Sequence, residues 1–240
     1  MGDDKKFAVL AGASGLTGGH LLAALLDAPD FARVYAVTRR ALGREHSRLA
    51  NRIVQFDRLE SQLKGLACHT AFCCLGSSLQ AAGSERAWRA AEIDRVLAFG
   101  RAARAAGAQR FVHLSCSRAA SGRDLGSELK RECEQALEGL GFASLDILQP
   151  GPLLGLRRDI HPAQLLRAVA TVLMTPALSG SREMHRAIPV RTVAAAMLGA
   201  ARSGRRGVYR YTYSGIRALA SVPAPSPAKA ATSARRDRVT

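Results

Sequence analysis

Short apolar runs alternate with longer segments of helical periodicity along the first 150 residues. The runs are too short for helices and end at glycine or polar residues, so they predict six β-strands, at residues 6–11, 34–38, 52–56, 70–75, 110–114 and 144–148. Between them, apolar residues recur at helical spacing, which predicts a first helix that ends near Pro29 and others at 85–106 and 126–137. Strands that alternate with helices indicate an α/β fold, whose parallel sheet has helices on both faces.

The alternation weakens after residue 150. Helices are predicted near 162–172 and 191–202 and a last short strand at 207–211, which we interpret as a small appended cap. Residues 221–240 contain three prolines and no apolar period, which predicts a disordered basic tail. The sequence thus predicts a single domain over 1–215, with a cap at about 153–205, followed by the tail.

The chain is strongly basic. Its 240 residues include 35 Lys and Arg against 19 Asp and Glu, a formal net charge of +16, and thirty of the basic residues are arginines. A high positive charge is one property of nucleic-acid-binding proteins. Here the arginines are scattered as singles and pairs, and aromatic residues make up only 5% of the chain. The pattern favours a solvated surface, and nucleic-acid binding is kept only as a third hypothesis.

The five cysteines do not indicate a metal site. They include no C-x-x-C pair, so we predict no metal and reduced, mostly structural thiols. No stretch approaches the ~18 uninterrupted apolar residues of a membrane-spanning helix, and the first residues lack the apolar region of a signal peptide. We therefore expect a cytoplasmic protein with no membrane association.

The clearest motif is Gly12-Ala-Ser-Gly-Leu-Thr-Gly18, placed between the first strand and the first helix. A G-x-x-G-x-x-G loop in this position is typical of dinucleotide-binding domains, because its glycines allow a tight turn, close approach to a pyrophosphate and close helix packing. The free N–H groups at the start of the helix face the anion. No Gly-Lys-Ser/Thr follows, which argues against a P-loop. The predicted coenzyme contacts are Gly12, Ser14, Gly15, Leu16, Thr17 and Gly18.

The end of the second strand bears on the choice of coenzyme. A site for NAD(H) places Asp or Glu there to bond the ribose 2′-hydroxyl, whereas this sequence reads Val37-Thr-Arg-Arg40. The planar guanidinium of Arg makes bidentate, charge-assisted bonds to phosphate. Arg39 and Arg40 therefore favour NADP(H) over NAD(H), with an ordinary solvated arginine pair as the alternative.

Three segments together resemble a known family. Gly12–Gly18, Phe72–Ser78 and Gln149–Leu154 follow the first, fourth and sixth predicted strands, and they look like the atypical short-chain dehydrogenases/reductases, most of all the Tat-interacting oxidoreductase-like group. The resemblance covers about residues 5–215 and implies a Rossmann-like doubly wound domain that binds NADP(H). It implies adenine contact by Asp57, a ribose side lined by Leu75, Gly76 and Ser77, and a nicotinamide bordered by Pro150 and Gly151.

The catalytic set departs from the pattern of that family. The resemblance implies a Ser after the fifth strand and a Tyr-x-x-x-Lys on the next helix, with Ser polarising the substrate oxygen, Tyr donating the proton and Lys holding the ribose. The matching residues are Ser115 and Lys130, but Gly126 stands in the place of the Tyr. Ser127 is a poor acid because an alcohol has a far higher pKa than a phenol. We expect His113 to be a partly buried strand histidine with a hydrogen-bonded partner.

Two hypotheses from different classes follow. The first is an NADP(H)-dependent oxidoreductase of weak activity that acts on a carbonyl/alcohol pair through Ser115 and Lys130. The second is a non-catalytic, NADP(H)-sensing regulatory or scaffold protein, which the loss of the Tyr favours. The partner is accordingly a small-molecule substrate or a protein, and the sequence identifies neither.

Overall fold

The computed structural model describes residues 6–77, 79–155 and 180–224. Seven parallel strands form the main sheet in the order β3-β2-β1-β4-β5-β6-β9, and a separate two-residue pair is formed by β7 and β8. The strands are β1 (Lys6–Ala11), β2 (Phe31–Thr38), β3 (Leu49–Ile53), β4 (Thr70–Cys73), β5 (Arg110–Leu114), β6 (Ser144–Leu148), β7 (Leu153–Leu154), β8 (Ile188–Pro189) and β9 (Gly207–Tyr211). This order, which reverses direction between β1 and β4, is that of a Rossmann-like doubly wound sheet and confirms the predicted fold class.

Helices cover both faces of the sheet. They are α1 (Leu16–Asp27), α2 (Leu59–Leu63), α3 (Leu79–Ala82), α4 (Glu85–Arg89), α5 (Arg95–Ala105), α6 (Arg118–Ser121), α7 (Leu125–Glu138), α8 (Val190–Arg202) and α9 (Tyr213–Ala220). One core lies between the sheet and α1, α8 and α9, and the other between the sheet and α2, α5 and α7. Because both faces are covered, the central strands are buried throughout, as β4 and β6 are.

The helix predicted at 85–106 is interrupted. α4 ends at Arg89, a π-helical turn follows at Ala90–Asp94, and α5 then continues to Ala105. The turn spans only five residues inside an otherwise continuous helical segment, so the sequence does not distinguish it. π-Helical turns inside α-helices are frequent at functional sites.

The third strand begins three residues before the prediction of 52–56. β3 pairs with β2 from Leu49 to Ile53 and is an edge strand, with Ile53 62% exposed. An edge strand exposed to water lacks a clear apolar pattern, which explains the misplaced boundary.

The region expected to form a cap differs from that expectation. β9 is the seventh strand of the main sheet, parallel to β6, and α8 packs on α1 with Val193 and Met197 in the core. The strand/helix alternation therefore continues beyond residue 190. Of the expected cap, β7, β8 and α8 are described, whereas the helix at 162–172 lies outside the described residues, as does the tail from residue 225. The domain and cap boundaries stay predictions.

A buried carboxylate links β5, β6 and β9. Asp146 of β6 is fully buried; it accepts hydrogen bonds from Arg110 (3.0 Å) and from the hydroxyl of Tyr211 (3.0 Å). Burial, together with the charge of Asp146, raises the pKa of Tyr211. One side chain from each of three neighbouring strands is thereby joined.

No helix among the described residues has the length and apolarity that a membrane crossing needs.

Candidate functional site

The carboxyl ends of the parallel strands meet at one edge of the sheet, where ligands bind in open α/β folds. The backbone continues the sheet ladder past the strands at this edge. The N–H of Ser115 donates to Leu148 O (2.8 Å) and the N–H of Ser117 donates to Pro150 O (2.8 Å). The predicted loops after β5 and β6 are therefore held side by side.

The glycine loop has the geometry that its motif predicts. Gly12 has a φ of +87°, and a Cβ there would lie 2.5 Å from the carbonyl oxygen of Cys74 at the end of β4. A Cβ on Gly18 would lie 2.0 Å from Gly12 O, so α1 packs directly on the turn. Both positions consequently require glycine.

The middle of the loop is open to a ligand. Gly15 is the N-cap of α1, and Ser14 and Gly15 are exposed, whereas Leu16 is half-buried and Thr17 is buried. A Cβ on Gly15 would approach only Gly12 O, at 3.2 Å. A helix N-terminus with an exposed, side-chain-poor backbone is suited to a pyrophosphate. The residues present thus fit a dinucleotide.

The loop after β2 is fixed by a residue that the sequence reasoning missed. Asn51 of β3 donates to Ala36 O (3.1 Å) and to the hydroxyl of Thr38 (2.7 Å), and accepts from the N–H of Leu42 (2.9 Å). The backbone that carries Arg39 and Arg40 is therefore held in place while both side chains are exposed. The exposed Arg pair remains available to an anion.

A cavity of about 640 Å³ joins two of the predicted coenzyme residues. Arg39 and Asp57 both line it, although they follow different strands. The rest of its wall comes from the stretch after β3 and from the helix opposite: Val54, Gln55, Phe56, Ala90, Asp94, Arg95, Ala98 and Arg101. Its volume lies within the range of small-molecule sites.

Lys130 is paired with Glu92, which sequence reasoning also missed. Glu92 lies in the π-helical turn and is 1% exposed; its carboxylate forms an ion pair with the Lys130 ammonium and accepts the N–H of Ser77. Burial alone would lower the pKa of Lys130, but the charge of Glu92 outweighs it and raises the pKa. A Cβ on Gly76 would lie 3.3 Å from this carboxylate. The loop Leu75–Ser77 and Lys130 are thus brought together by Glu92.

Trp88 fills the space beside Gly126. A Cβ on Gly126 would lie 2.6 Å from Cη2 and 3.0 Å from Cζ2 of the indole. The indole N–H donates to Ser77 O (3.2 Å). The position that the resemblance assigns to Tyr is therefore next to a large aromatic ring.

Ser115 faces the interior of the domain. It is 6% exposed, and its hydroxyl donates to Glu134 of α7 at 2.5 Å. Glu134 also accepts from Gln149 (2.9 and 3.0 Å) and from Arg210 (3.1 Å). Its carboxylate, which is itself buried, thereby joins the ends of β5 and β6, α7 and the partly exposed Arg210 of β9 in one network. None of these hydrogen bonds involves Lys130, so this network does not connect Ser115 with Lys130.

The remaining hydroxyls near the site have defined partners. Ser127 is fully buried and its hydroxyl donates to Asp124 (3.0 Å), which caps α7. Ser117 is buried, and its N–H donates to the carbonyl oxygen of Pro150. The sequence did not single it out, because nothing in the local pattern distinguishes it from Ser115. Ser117 lies at the loop predicted to border the nicotinamide.

The loop after β6 makes close backbone contact with the segment before β8. A Cβ on Gly151 would lie 2.3 Å from Arg186 O and 3.0 Å from Met184 O. Glycine at 151 is therefore required by packing, whatever its role toward a ligand. Pro150 is buried in the same loop.

The expectation for His113 was wrong in two respects. The side chain is fully buried, and within the described residues neither ring nitrogen has a hydrogen-bond partner. Burial, and secondarily the charge of Lys130, lowers the pKa of His113 to about 3. The histidine is therefore neutral at physiological pH.

The five cysteines are free, and burial raises the pKa of Cys68, Cys74 and Cys133 to about 12. Thiols in this state are poor nucleophiles. Among the residues that the structure describes, no group of three or more His, Cys, Asp or Glu is arranged to hold a metal ion.

Comparison with known proteins gives a consistent family. The sequence profile described as NAD dependent epimerase/dehydratase family matches residues 8–135. Protein HTATIP2 of Rattus norvegicus is 34% identical over 167 residues, which are 67% of this chain and 68% of that protein. Protein FMP52, mitochondrial, of Saccharomyces cerevisiae is 33% identical over 155 residues, 63% of this chain and 67% of that protein.

Solved structures with low sequence identity share the fold. MoeE5 in complex with UDP-glucose and NAD has a TM-score of 0.63 at 20% identity and covers 85% of this chain and 75% of its own. A thiolation-reductase di-domain from an archaeal non-ribosomal peptide synthetase has a TM-score of 0.66 at 12% identity, covering 97% and 80%.

A doubly wound parallel sheet with a glycine loop at its carboxyl edge defines a Rossmann-like, dinucleotide-binding class of protein. The chain belongs to the NAD dependent epimerase/dehydratase family of short-chain dehydrogenase/reductase-like oxidoreductases, and it is homologous to HTATIP2 and FMP52. The family resemblance inferred from the sequence is confirmed. The family, described as NAD dependent, supports binding of a nicotinamide dinucleotide.

Proposed function

We propose that this chain is an NADP(H)-binding protein in which carbonyl reduction is weak or lost. The observation that carries the proposal is the glycine loop, whose exposed backbone from Ser14 to Gly15 caps α1 while Gly12 and Gly18 close the turn beneath it. These residues would hold the pyrophosphate through backbone N–H groups. When bound, the coenzyme supplies or accepts a hydride.

The preference for NADP(H) rests on Arg39 and Arg40. Both are exposed on a backbone fixed by Asn51, and Arg39 shares a cavity with Asp57. A guanidinium there binds a 2′-phosphate by charge-assisted hydrogen bonds, and Asp57 on the cavity wall accepts hydrogen bonds from the adenine. Calorimetry with NADP+ and NAD+ tests this assignment. Tighter binding of NAD+ would refute the preference, and no heat with either coenzyme would refute the function.

Oxidoreductase chemistry is the first way to use the coenzyme. Ser115 would polarise a carbonyl, and Lys130 would hold the ribose hydroxyls. Water would supply the proton that the Tyr of the family donates, because Gly126 stands in its place. Lys130 is suited to this role because Glu92 keeps it charged and beside Ser77. Ser115 is less suited, because its hydroxyl is engaged by Glu134. Oxidation of NADPH with a panel of aldehydes and ketones tests this activity.

A non-catalytic, NADP(H)-sensing role is the second candidate. The specific observation in its favour is that Gly126 has no side chain to act as an acid and that Trp88 lies against it. Such a protein would bind NADP+ with ordinary affinity and turn over no carbonyl substrate. Protein partners, a cytoplasmic location and the oligomeric state stay predictions; FMP52 and its fungal relatives carry the word mitochondrial in their names.

A further inference from the structure

Trp88 lies between a loop assigned to the ribose side of the site and the position where the family places its Tyr. Its indole N–H donates to Ser77 O, in the loop proposed to meet the ribose, and its six-membered ring lies against Gly126 of α7. The side chain therefore spans the gap between the end of β4 and α7. It is only partly buried, so part of the ring faces water.

Trp88 and Glu92 contact two residues of α7 that have the same spacing along the chain. Trp88 and Glu92 are four residues apart and lie opposite Gly126 and Lys130, which are also four residues apart. Each helix thus presents two residues, one helical turn apart, to the other. The large indole of Trp88 packs against Gly126, which has no side chain, and the carboxylate of Glu92 pairs with the ammonium of Lys130. The two segments are therefore complementary at both pairs of positions.

We propose that Trp88 covers the nicotinamide end of the bound coenzyme and occupies the place from which a side chain at position 126 would deliver a proton. This inference rests on the proposed coenzyme binding. Reduction of a carbonyl adds a hydride to carbon and a proton to oxygen, and the indole N–H, which donates to Ser77 O, does not supply that proton. Trp88 instead provides an aromatic wall that excludes water from one side of the nicotinamide.

The chemistry of the pair favours this reading over simple core packing. Trp88 keeps a partly exposed side chain, and its indole N–H donates to the backbone of the loop assigned to the ribose. A bound nicotinamide ribose at Ser77 and Lys130 would be adjacent to that exposed part. The ligand class is therefore a nicotinamide dinucleotide with its ring next to Trp88.

The test uses the full chain, in which all tryptophan emission comes from Trp88 because the sequence contains one tryptophan. Quenching of this emission by acrylamide is measured alone, with NADP+ and with 2′,5′-ADP, which carries the 2′-phosphate but no nicotinamide. NADP+ is expected to lower the quenching constant at least about twofold, because a bound ligand shields the surface it touches. 2′,5′-ADP is expected to bind without lowering it. The variant W88F measures the tyrosine background.

Calorimetry on the same samples separates the possible failures. If NADP+ binds and the quenching constant does not change, or if both ligands lower it equally, Trp88 is not at the nicotinamide end and this inference is overturned while coenzyme binding stands. If neither ligand gives heat, the proposed function fails and this inference fails with it. As a second measurement, W88A should weaken NADP+ about fivefold and 2′,5′-ADP hardly at all; equal weakening of both would also overturn it.

Discussion

Glu92 and Lys130 form a nearly buried ion pair directly beneath the loop after β4, and the same carboxylate accepts the N–H of Ser77. Glu92 comes from a π-helical turn and Lys130 from α7, so two helices and a strand end meet at one carboxylate. Lys130 is therefore kept charged close to the backbone proposed to bind the ribose. The charge of Lys130 is thus maintained by Glu92, a residue outside the Ser-Tyr-Lys set.

Removing the charge of Glu92 should destabilise the protein. E92Q leaves the Lys130 ammonium buried without a counter-charge, which costs on the order of 3 kcal/mol. Urea denaturation measures the loss, and the double variant E92Q/K130M should recover most of it. The matched control is E132Q, which breaks the exposed pair of Arg89 and Glu132 and should cost less than about 1 kcal/mol. Equal losses for E92Q and E132Q would contradict the structural role of the pair.

The glycine loop predicts a sharp difference between two neighbouring glycines. G18A places a Cβ against Gly12 O and should lower stability by about 1–3 kcal/mol and reduce coenzyme binding. G19A is the control, since its Cβ would find the nearest atom, Ala13 O, at 3.6 Å, and alanine favours a helix by up to about 1 kcal/mol. Thermal unfolding with and without NADP+ measures both. A G18A variant as stable as G19A would mean that α1 does not pack on the turn as described.

Arg39 should discriminate between the two coenzymes. R39A removes a charge-assisted contact to the 2′-phosphate, so the Kd for NADP+ should rise about tenfold while that for NAD+ stays nearly the same. Calorimetry measures both constants. R52A, which removes an exposed arginine of β3, is the control and should change neither. A parallel loss of both coenzymes in R39A would assign Arg39 to general charge rather than to selection.

Because His113 is buried and neutral, the protein should become less stable as the pH is lowered. The folded protein keeps the imidazole neutral with a pKa of about 3, whereas in the unfolded chain it takes up a proton near pH 6.5. The unfolded state then binds more protons below pH 6.5, so stability falls as the pH is lowered, by about 2 kcal/mol between pH 7 and pH 5. Urea denaturation at pH 7, 6 and 5 measures this slope.

The variant H113L should flatten that slope, because leucine does not titrate. H20L, at an exposed histidine of α1, should leave it in place. The range above pH 5 is chosen because most carboxylates are still ionised there. An unchanged slope in H113L would show that other groups cause the acid sensitivity.

The contact between Trp88 and Gly126 can be tested by a double-mutant cycle. With Trp88 present, G126A places a methyl group against the indole and should be destabilising. In the W88A background the same change should stabilise by up to about 1 kcal/mol through helix propensity. Urea denaturation of the four proteins gives the coupling energy, expected on the order of 1–3 kcal/mol. Additive effects would contradict the contact.

The same contact determines how a phenol can be restored. G126Y alone should misfold or stay inactive, because Trp88 fills the space, whereas W88A/G126Y offers room for the ring. The double variant should then oxidise NADPH with simple aldehydes faster than either single variant. If G126Y alone gains as much activity as the double variant, Trp88 does not obstruct the position.

The sequence by itself determined the fold class, the glycine loop and the absence of a Tyr four residues before Lys130. These features are local, since strand/helix alternation and the spacing of Gly12, Gly15 and Gly18 express backbone requirements that neighbouring residues impose. Arg39 and Asp57 were expected at the carboxyl edge of a parallel sheet, the latter through the family resemblance, but the structure alone shows that both line one cavity.

The tertiary structure alone decided which side chains meet. Glu92 and Trp88 lie on a helix whose sequence shows ordinary amphipathic spacing, and their partners are about 40 residues away, so no local pattern predicts either contact. The hydroxyl of Ser115 donates to Glu134 of α7, and the hydroxyl of Tyr211 in β9 donates to Asp146 of β6. Such contacts are set by the packing of elements that are distant in sequence, which periodicity and propensity do not encode.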